Sequence, residues 1–225
     1  SKQRTTCRIG PNTSSSSTLA RTTSSARILV PKVVWEYTPK EGFGLVVGRD
    51  EMPSGIGLPD LQTFIRQNTD PGAATYPTQV KLFIANQRFQ LTPYAFAPGG
   101  DEDSQHRKWG AGMLGGVDVW HGRAIVGLSA LDARAPAFEH RSVGAFARLG
   151  FGRWGVLAEH ELTGRTTTGL AAVTTSHIAG NTQLFVAPYE WLVVSLGVDE
   201  AVSQAAGGRV NRTYRIAPGA QVRVS

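Results

Sequence analysis

Residues Leu184 to Asp199 read LFVAPYEWLVVSLGVD, and beyond Trp191 they alternate strictly. Leu192, Val194, Leu196 and Val198 fall on one side; Val193, Ser195, Gly197 and Asp199 fall on the other. Successive side chains of a strand point to opposite faces, so this segment has one aliphatic face and one small or polar face. In a soluble sandwich the aliphatic face is the core. In a membrane barrel it meets lipid, and the opposite face lines a lumen.

The same period of two recurs along the chain. It predicts strands over 27–38, 42–51, 79–86, 88–97, 109–120, 123–133, 142–151, 154–164, 176–189, 191–201 and 212–225, with one more over 3–9. Helical periodicity is confined to one short turn, Leu61 to Gln67. The expected connections alternate in length. Pro39 to Glu41, Gln87, His121-Gly122, Gly152-Arg153 and Glu190 are tight, whereas Glu51 to Thr78, Pro98 to Lys108, Arg134 to Arg141, Arg165 to Thr175 and Val202 to Asn211 are long. In an up-and-down meander every tight turn then falls at one end and every long loop at the other. Greek-key sandwiches mix their connections, and soluble up-and-down barrels close with about eight strands.

Face assignments agree with lipid outside. Leu29, Val33, Trp35 and Tyr37 oppose Lys32 and Glu36, while Tyr214, Ile216, Ala220, Val222 and Val224 oppose Arg215, Gln221 and Arg223. Such rows of charge suit a wet lumen and are costly in a dry core. Tyr37, Phe89, Trp120, Phe151, Trp154, Tyr189 and Trp191 gather at the tight-turn end. There they would form an interfacial girdle, because a Trp or Tyr ring settles where one end is apolar and the other wet.

On these patterns the chain resembles the outer-membrane β-barrel, porin-like class of Gram-negative bacteria. The resemblance covers most of residues 27–225 and implies an all-β, transmembrane, antiparallel up-and-down β-barrel of about twelve strands in the bacterial outer membrane. It departs from the class at the C-terminus, which reads QVRVS without the closing aromatic residue. That leaves two arrangements open, a complete barrel or part of a larger one. The 225 residues are expected to make one barrel domain, with residues 10–26, GPNTSSSSTLARTTSSA, a Ser/Thr-rich loop or arm.

Composition narrows function more than fold. No apolar run approaches the roughly 20 residues of a membrane helix, and the N-terminus, SKQRTTCRIG, has no apolar leader core. The lone Cys7 allows no internal disulfide and fits no metal motif, so no cofactor is expected. The 23 Lys and Arg exceed the 17 Asp and Glu by six. Because these cations are scattered through strands, they suggest an anion-attracting pore rather than a nucleic-acid surface. The expected partners are the lipid bilayer, a protein in or on the barrel, or further copies of the chain.

Candidate pore-lining residues are Lys32, Glu36, Asp118, Arg148, Glu159, Glu161, Asp199, Arg215 and Arg223. The loop GRDEMPSGIGLPD, 48–60, carries Arg49, Asp50, Glu51 and Asp60 between Gly and Pro residues that fix its turns; it either constricts the pore or binds a partner. An enzyme is not expected. His160 sits between Glu159 and Glu161, His177 follows Ser176, and His106 follows an acidic run, but none makes a nucleophile motif. The principal expectation is passive passage of small, anionic solutes. Alternatives are a scaffold barrel around a partner such as a multihaem cytochrome, although the chain has no CxxCH of its own, and a soluble β-rich binding or capsid-like protein with Lys2, Arg4, Arg8 and Arg21 on a basic arm.

Overall fold

The structure, a computed structural model, describes residues 4–10, 32–53, 55–56, 65, 68, 77–98, 107–169 and 172–222. Among these residues twelve strands form one sheet in sequential order. They are β1 (Arg4–Gly10), β2 (Lys32–Lys40), β3 (Phe43–Arg49), β4 (Thr78–Ala85), β5 (Phe89–Ala97), β6 (Trp109–Asp118), β7 (Ala124–Ala135), β8 (Phe138–Phe151), β9 (Trp154–Thr167), β10 (Thr174–Tyr189), β11 (Leu192–Ala205) and β12 (Val210–Val222). Each strand pairs antiparallel with its neighbours in the chain, so the up-and-down meander read from the sequence is the observed topology, the strand over 3–9 included. Ile65, within the short helical turn expected over Leu61 to Gln67, is helical.

One expected long connection is not long. Residues 134–141 hold the two-residue turn Pro136-Ala137, and β7 and β8 run straight into it. The loops expected at 165–175 and 202–211 shrink likewise, to 168–173 and 206–209. The reason is visible in the register. Near this end the outward residues turn polar, with Asp132 opposite Arg141 and Arg134 opposite Glu139. Apolar alternation therefore stops while the backbone ladder, which does not depend on side chains, continues. Cross-strand ion pairs of 3.5 Å between Asp132 and Arg141 and 3.9 Å between Arg134 and Glu139 decorate it. The connections 50–77 and 98–108 remain long.

The tight end is built by local chemistry. His121 (φ 44°) and Gly122 (φ 80°) both take left-handed conformations, and Arg123 N donates to Trp120 O at 2.8 Å. That is the two-residue type I′ turn whose twist matches paired strands. Aromatic rings collect beside it: Phe151 lies 5.4 Å from Trp120 and 4.6 Å from Trp154, and Tyr189 stacks on Trp191 at 5.4 Å.

Burial inverts the order of a soluble protein. Directly paired residues share a face, and along one face lie Trp35, Val80, Met113, Leu128, Val143, Leu162, Leu196 and Ile216, all exposed. Along the other, Gln79, Lys81, Thr92, Ser142, Glu159, Thr163, Asn181 and Asp199 are buried. The segment read first shows the contrast most simply: Leu196 and Val198 are 48% and 43% exposed, while Asp199 between the walls is 0% exposed. The aliphatic face is the lipid face. Among the described residues no pairing joins β12 to β1. Hydrocarbon tolerates no open sheet edge, so in the membrane these two edges are covered, by each other or by further strands.

Candidate functional site

The interior contains a segment of the chain itself. Beyond β3 the backbone turns inward at Asp50, which is buried and accepts a 2.7 Å ion pair from Lys81 Nζ. Lys81 also donates to the Glu51 carbonyl at 2.7 Å, and Gln79 Nε2 donates to the Asp50 and Glu51 carbonyls. Both side chains project inward from β4, because the period of two places Gln79 and Lys81 opposite the outward Val80 and Leu82. A buried ammonium needs a partner in good geometry, and the loop supplies it. Met52 then packs on the cluster of Tyr94, Phe96 and Ala133.

The segment next reaches the opposite wall. Ile56 N donates to Glu159 Oε2 on β9 at 3.0 Å. Gly55 precedes it with φ +47°, and a Cβ there would lie 1.7 Å from the Glu159 carboxylate, so a larger residue would strain the backbone and push that carboxylate aside. Farther along, Ile65 is buried against Ala179 of β10, with Ala201 of β11 beside them. Asp50 at the β4 wall, Ile56 at β9 and Ile65 at β10 thus place described residues of one connection inside the sheet, against walls on both sides.

A row of interior residues crosses the same wall in register: Phe146, Glu159, Asn181, Asp199 and Arg215 are successive partners on β8 to β12. Asp199 accepts hydrogen bonds from Asn181 Nδ2 and Arg215 Nε, and the Arg215 contact is an ion pair. Nearby, Thr163 donates to Glu161 at 3.4 Å, and the Arg165 guanidinium lies 3.7 Å over the Phe138 ring. These charges are committed to one another or to the loop.

Below the loop, toward the tight turns, the interior opens into a cavity of about 900 Å³ lined by Ile56, Arg123, Arg148, Leu157 and Phe185. Arg148 projects inward from β8, opposite Leu157, and is exposed to this space. Arg123 lies 5.7 Å over the Trp120 ring. Among the described residues neither guanidinium forms an ion pair.

The residues expected to line a pore therefore separate into groups. Arg148, Glu159, Glu161, Asp199 and Arg215 project inward; Glu36 does too, accepting from Thr38 Oγ1 at 3.5 Å. Asp118 sits at the tight-turn rim, where its carboxylate accepts Trp120 N at 3.0 Å and Gly122 N, and so holds the turn. Lys32 lies in β2, on the same backbone parity as Glu36. Arg223 and Asp60 lie outside the described residues, as do most of the Ser/Thr-rich stretch 10–26 and His106. Of the loop residues, Asp50 and Glu51 anchor the inward segment, whereas Arg49 pairs in register with Val33 and Thr78 on the outward side.

Histidine positions bear on the enzyme question. His160 projects outward while Glu159 and Glu161 project inward, and Ser176 and His177 likewise occupy opposite faces. Residues adjacent in sequence are thereby split by the wall. Among the described residues no cluster of His, Cys, Asp and Glu could hold a metal ion. Sequence reading missed Lys81, Gln79, Asn181, Arg123 and the docking contacts of Ile56 and Ile65. For Lys81 the signal was present, since QVKLFI alternates with Lys81 opposite Val80 and Leu82.

An antiparallel meander with an aliphatic outer face, an interfacial aromatic girdle and a polar interior is the fold of outer-membrane β-barrels, and the outer face places this chain in that membrane. Solved structures agree. The chain is similar to OmpTdeltaL8, a loop L8 deletion mutant of OmpT, an outer membrane protein of Vibrio cholerae, with TM-score 0.72 and 11% identity over 88% of this chain and 70% of that one. Outer-membrane expressed OmpT of Vibrio cholerae gives TM-score 0.69 and 10% identity, covering 88% and 66%. In-vitro folded OmpT, in a trimer form, gives TM-score 0.69 and 10% identity, covering 89% and 68%. This chain thus corresponds to about two thirds of those proteins' length. No protein-family model matches the chain, and no curated protein matches it.

Proposed function

We propose that the barrel is a porin-like channel for passive passage of small solutes, with a preference for anions, and that it has no enzymatic activity. The observation that carries this reading is the contrast between committed and uncommitted charge. Above and around the inward segment, Lys81 and Arg215 are neutralised by Asp50 and Asp199. In the cavity below it, Arg148 and Arg123 face water with no carboxylate partner among the described residues. A low-dielectric wall focuses the field of such cations on passing ions, so an anion is concentrated where the path is narrowed. The separation of Ser176 from His177, and of His160 from its two glutamates, supports the absence of hydrolytic chemistry.

A scaffold barrel around another protein is the second reading. The inward contacts speak against it, because Asp50, Met52, Ile56 and Ile65 already occupy interior positions against β4, β5, β9 and β10. The soluble binding-protein reading is set aside, since it would leave Leu128, Val143, Leu162 and Ile216 in water. Planar-bilayer recording on the purified protein tests the channel. Stable conductance steps, with a reversal potential displaced toward that of chloride in a potassium chloride gradient, are expected. Silence in bilayers, with conductance or redox activity appearing only after a partner is added, would replace the channel with the scaffold.

A further inference from the structure

The two arginines of the lower cavity are neighbours with an apolar wall beside them. Gly150 N donates to Arg123 O at 2.7 Å, and Arg148 lies opposite Ile125, so Arg123 and Arg148 hold diagonal positions on adjacent strands of one face. Diagonal neighbours of a sheet stand roughly 7–8 Å apart, within reach of long side chains. Two like charges so placed repel, and Asp118, on the same face of β6, spends its carboxylate on Trp120 N and Gly122 N. Next to them the wall is bare. Gly150 pairs with Gly155, and Phe185 lies across Gly155, where a Cβ would collide with the ring. At Gly150, by contrast, a Cβ would meet nothing beyond its chain neighbours nearer than 3.9 Å. The cavity wall therefore has a notch floored by Gly150 and framed by Arg123, Arg148, Leu157 and Phe185. A glycine inside a strand packs nothing and weakens the strand, and it often marks a close approach by a ligand.

We propose that this notch binds a one-ring aromatic carboxylate, with the carboxylate between Arg123 and Arg148 and the ring over Gly150 against Phe185 and Leu157. Each part of the ligand follows from its neighbour. A guanidinium is a planar fork that matches a carboxylate, and two of them on one face hold a single anion from two sides. A hydrated inorganic anion would gain nothing from Phe185 and Leu157. A flat ring gains from both, because it leaves water and meets the Phe185 ring edge-on or offset. A cavity of about 900 Å³ with an apolar wall and a few convergent polar groups has the size and make-up of a small-molecule site. The inference rests on the channel reading, since it names the class of solute that the uncommitted arginines select.

Titration calorimetry on the purified barrel in detergent tests it, with benzoate as the probe and acetate as the ring-free control. Benzoate is expected to bind about tenfold more tightly than acetate. Gly150→Leu fills the notch without changing charge and should abolish that preference; Phe185→Ala should remove most of it. Arg148→Met should weaken both ligands alike. Heat-modified mobility on a gel shows which variants are folded, and Phe185→Ala carries the test if Gly150→Leu is not. Equal affinity of the wild type for benzoate and acetate, or a preference unchanged in the folded variants, would overturn the proposal. Bilayer recording separates this reading from the channel itself. A barrel that conducts chloride but does not prefer benzoate loses this proposal alone, whereas one that binds benzoate as expected and stays silent in bilayers loses the channel alone.

Discussion

Two parts of the same interior use arginine and lysine in opposite ways. At the level of the inward segment, Lys81 is almost fully buried and bonded to Asp50, and Arg215 is bonded to the buried Asp199. In the cavity beneath, Arg148 and Arg123 have no carboxylate partner among the described residues. A cation in a low-dielectric site with a carboxylate at 2.7 Å is a structural element whose field is cancelled within a few ångströms. One facing water without a partner projects its field into the path of a solute. The chain's formal charge of +6 therefore says little about selectivity until each cation is assigned a neighbour.

The largest effect is expected at the loop anchor. Asp50→Leu would leave the Lys81 ammonium buried without its carboxylate, at a cost of about 3–5 kcal/mol. A lowered urea midpoint for the barrel in lipid vesicles is expected, together with larger and noisier conductance as the segment leaves the lumen. Asp50→Leu with Lys81→Met should recover most of the stability, because an apolar pair can replace a buried ion pair.

A smaller effect is expected where the segment touches the far wall. Ile56→Pro removes the N–H that Glu159 accepts, a charge-assisted hydrogen bond worth about 1.5–3 kcal/mol. Single-channel records of this variant should show raised conductance, and its unfolding midpoint should fall less than that of Asp50→Leu. The smallest effect is expected from a change that leaves net charge unchanged. Asp199→Asn with Arg215→Met deletes a pair whose field is already cancelled, and the chloride-to-potassium permeability ratio should move by less than about twofold, or about 0.4 kcal/mol.

Topology has its own check. An epitope inserted at Pro136-Ala137 should be reached by antibody on intact cells, and one at His121-Gly122 should be reached only after the outer membrane is opened. These turns lie at opposite ends of β7, so the reverse result would invert the orientation of the barrel.

The wall of this barrel was legible because period-two alternation is a local property. QVKLFI, FARLGF and LVVSLGVD each show their face without reference to any other strand. The outer ends were not legible, since Asp132, Arg134, Glu139 and Arg141 make the outward face polar there and erase the outward apolar alternation that marks a strand. Inward folding of the loop was one of two readings for GRDEMPSGIGLPD, and its docking points were beyond reach. The bond from Ile56 to Glu159 joins residues 103 apart in the chain, and nothing in either neighbourhood announces the other. The fate of each charge was hidden for the same reason. Asp199 and Arg215 are partners only through the β11–β12 register, and Arg148 stands apart only because its register partner is Leu157.

The central claim is that the uncommitted arginines of the lower cavity, not the overall charge, set the ion preference. Reversal potentials of wild type and Arg148→Glu, recorded in the same potassium chloride gradient, test it most directly. Placing a carboxylate at that position should lower the chloride-to-potassium permeability ratio about fivefold, equivalent to about 1 kcal/mol, and carry the reversal potential toward potassium. An unchanged reversal potential in Arg148→Glu, with conductance intact, would contradict the account.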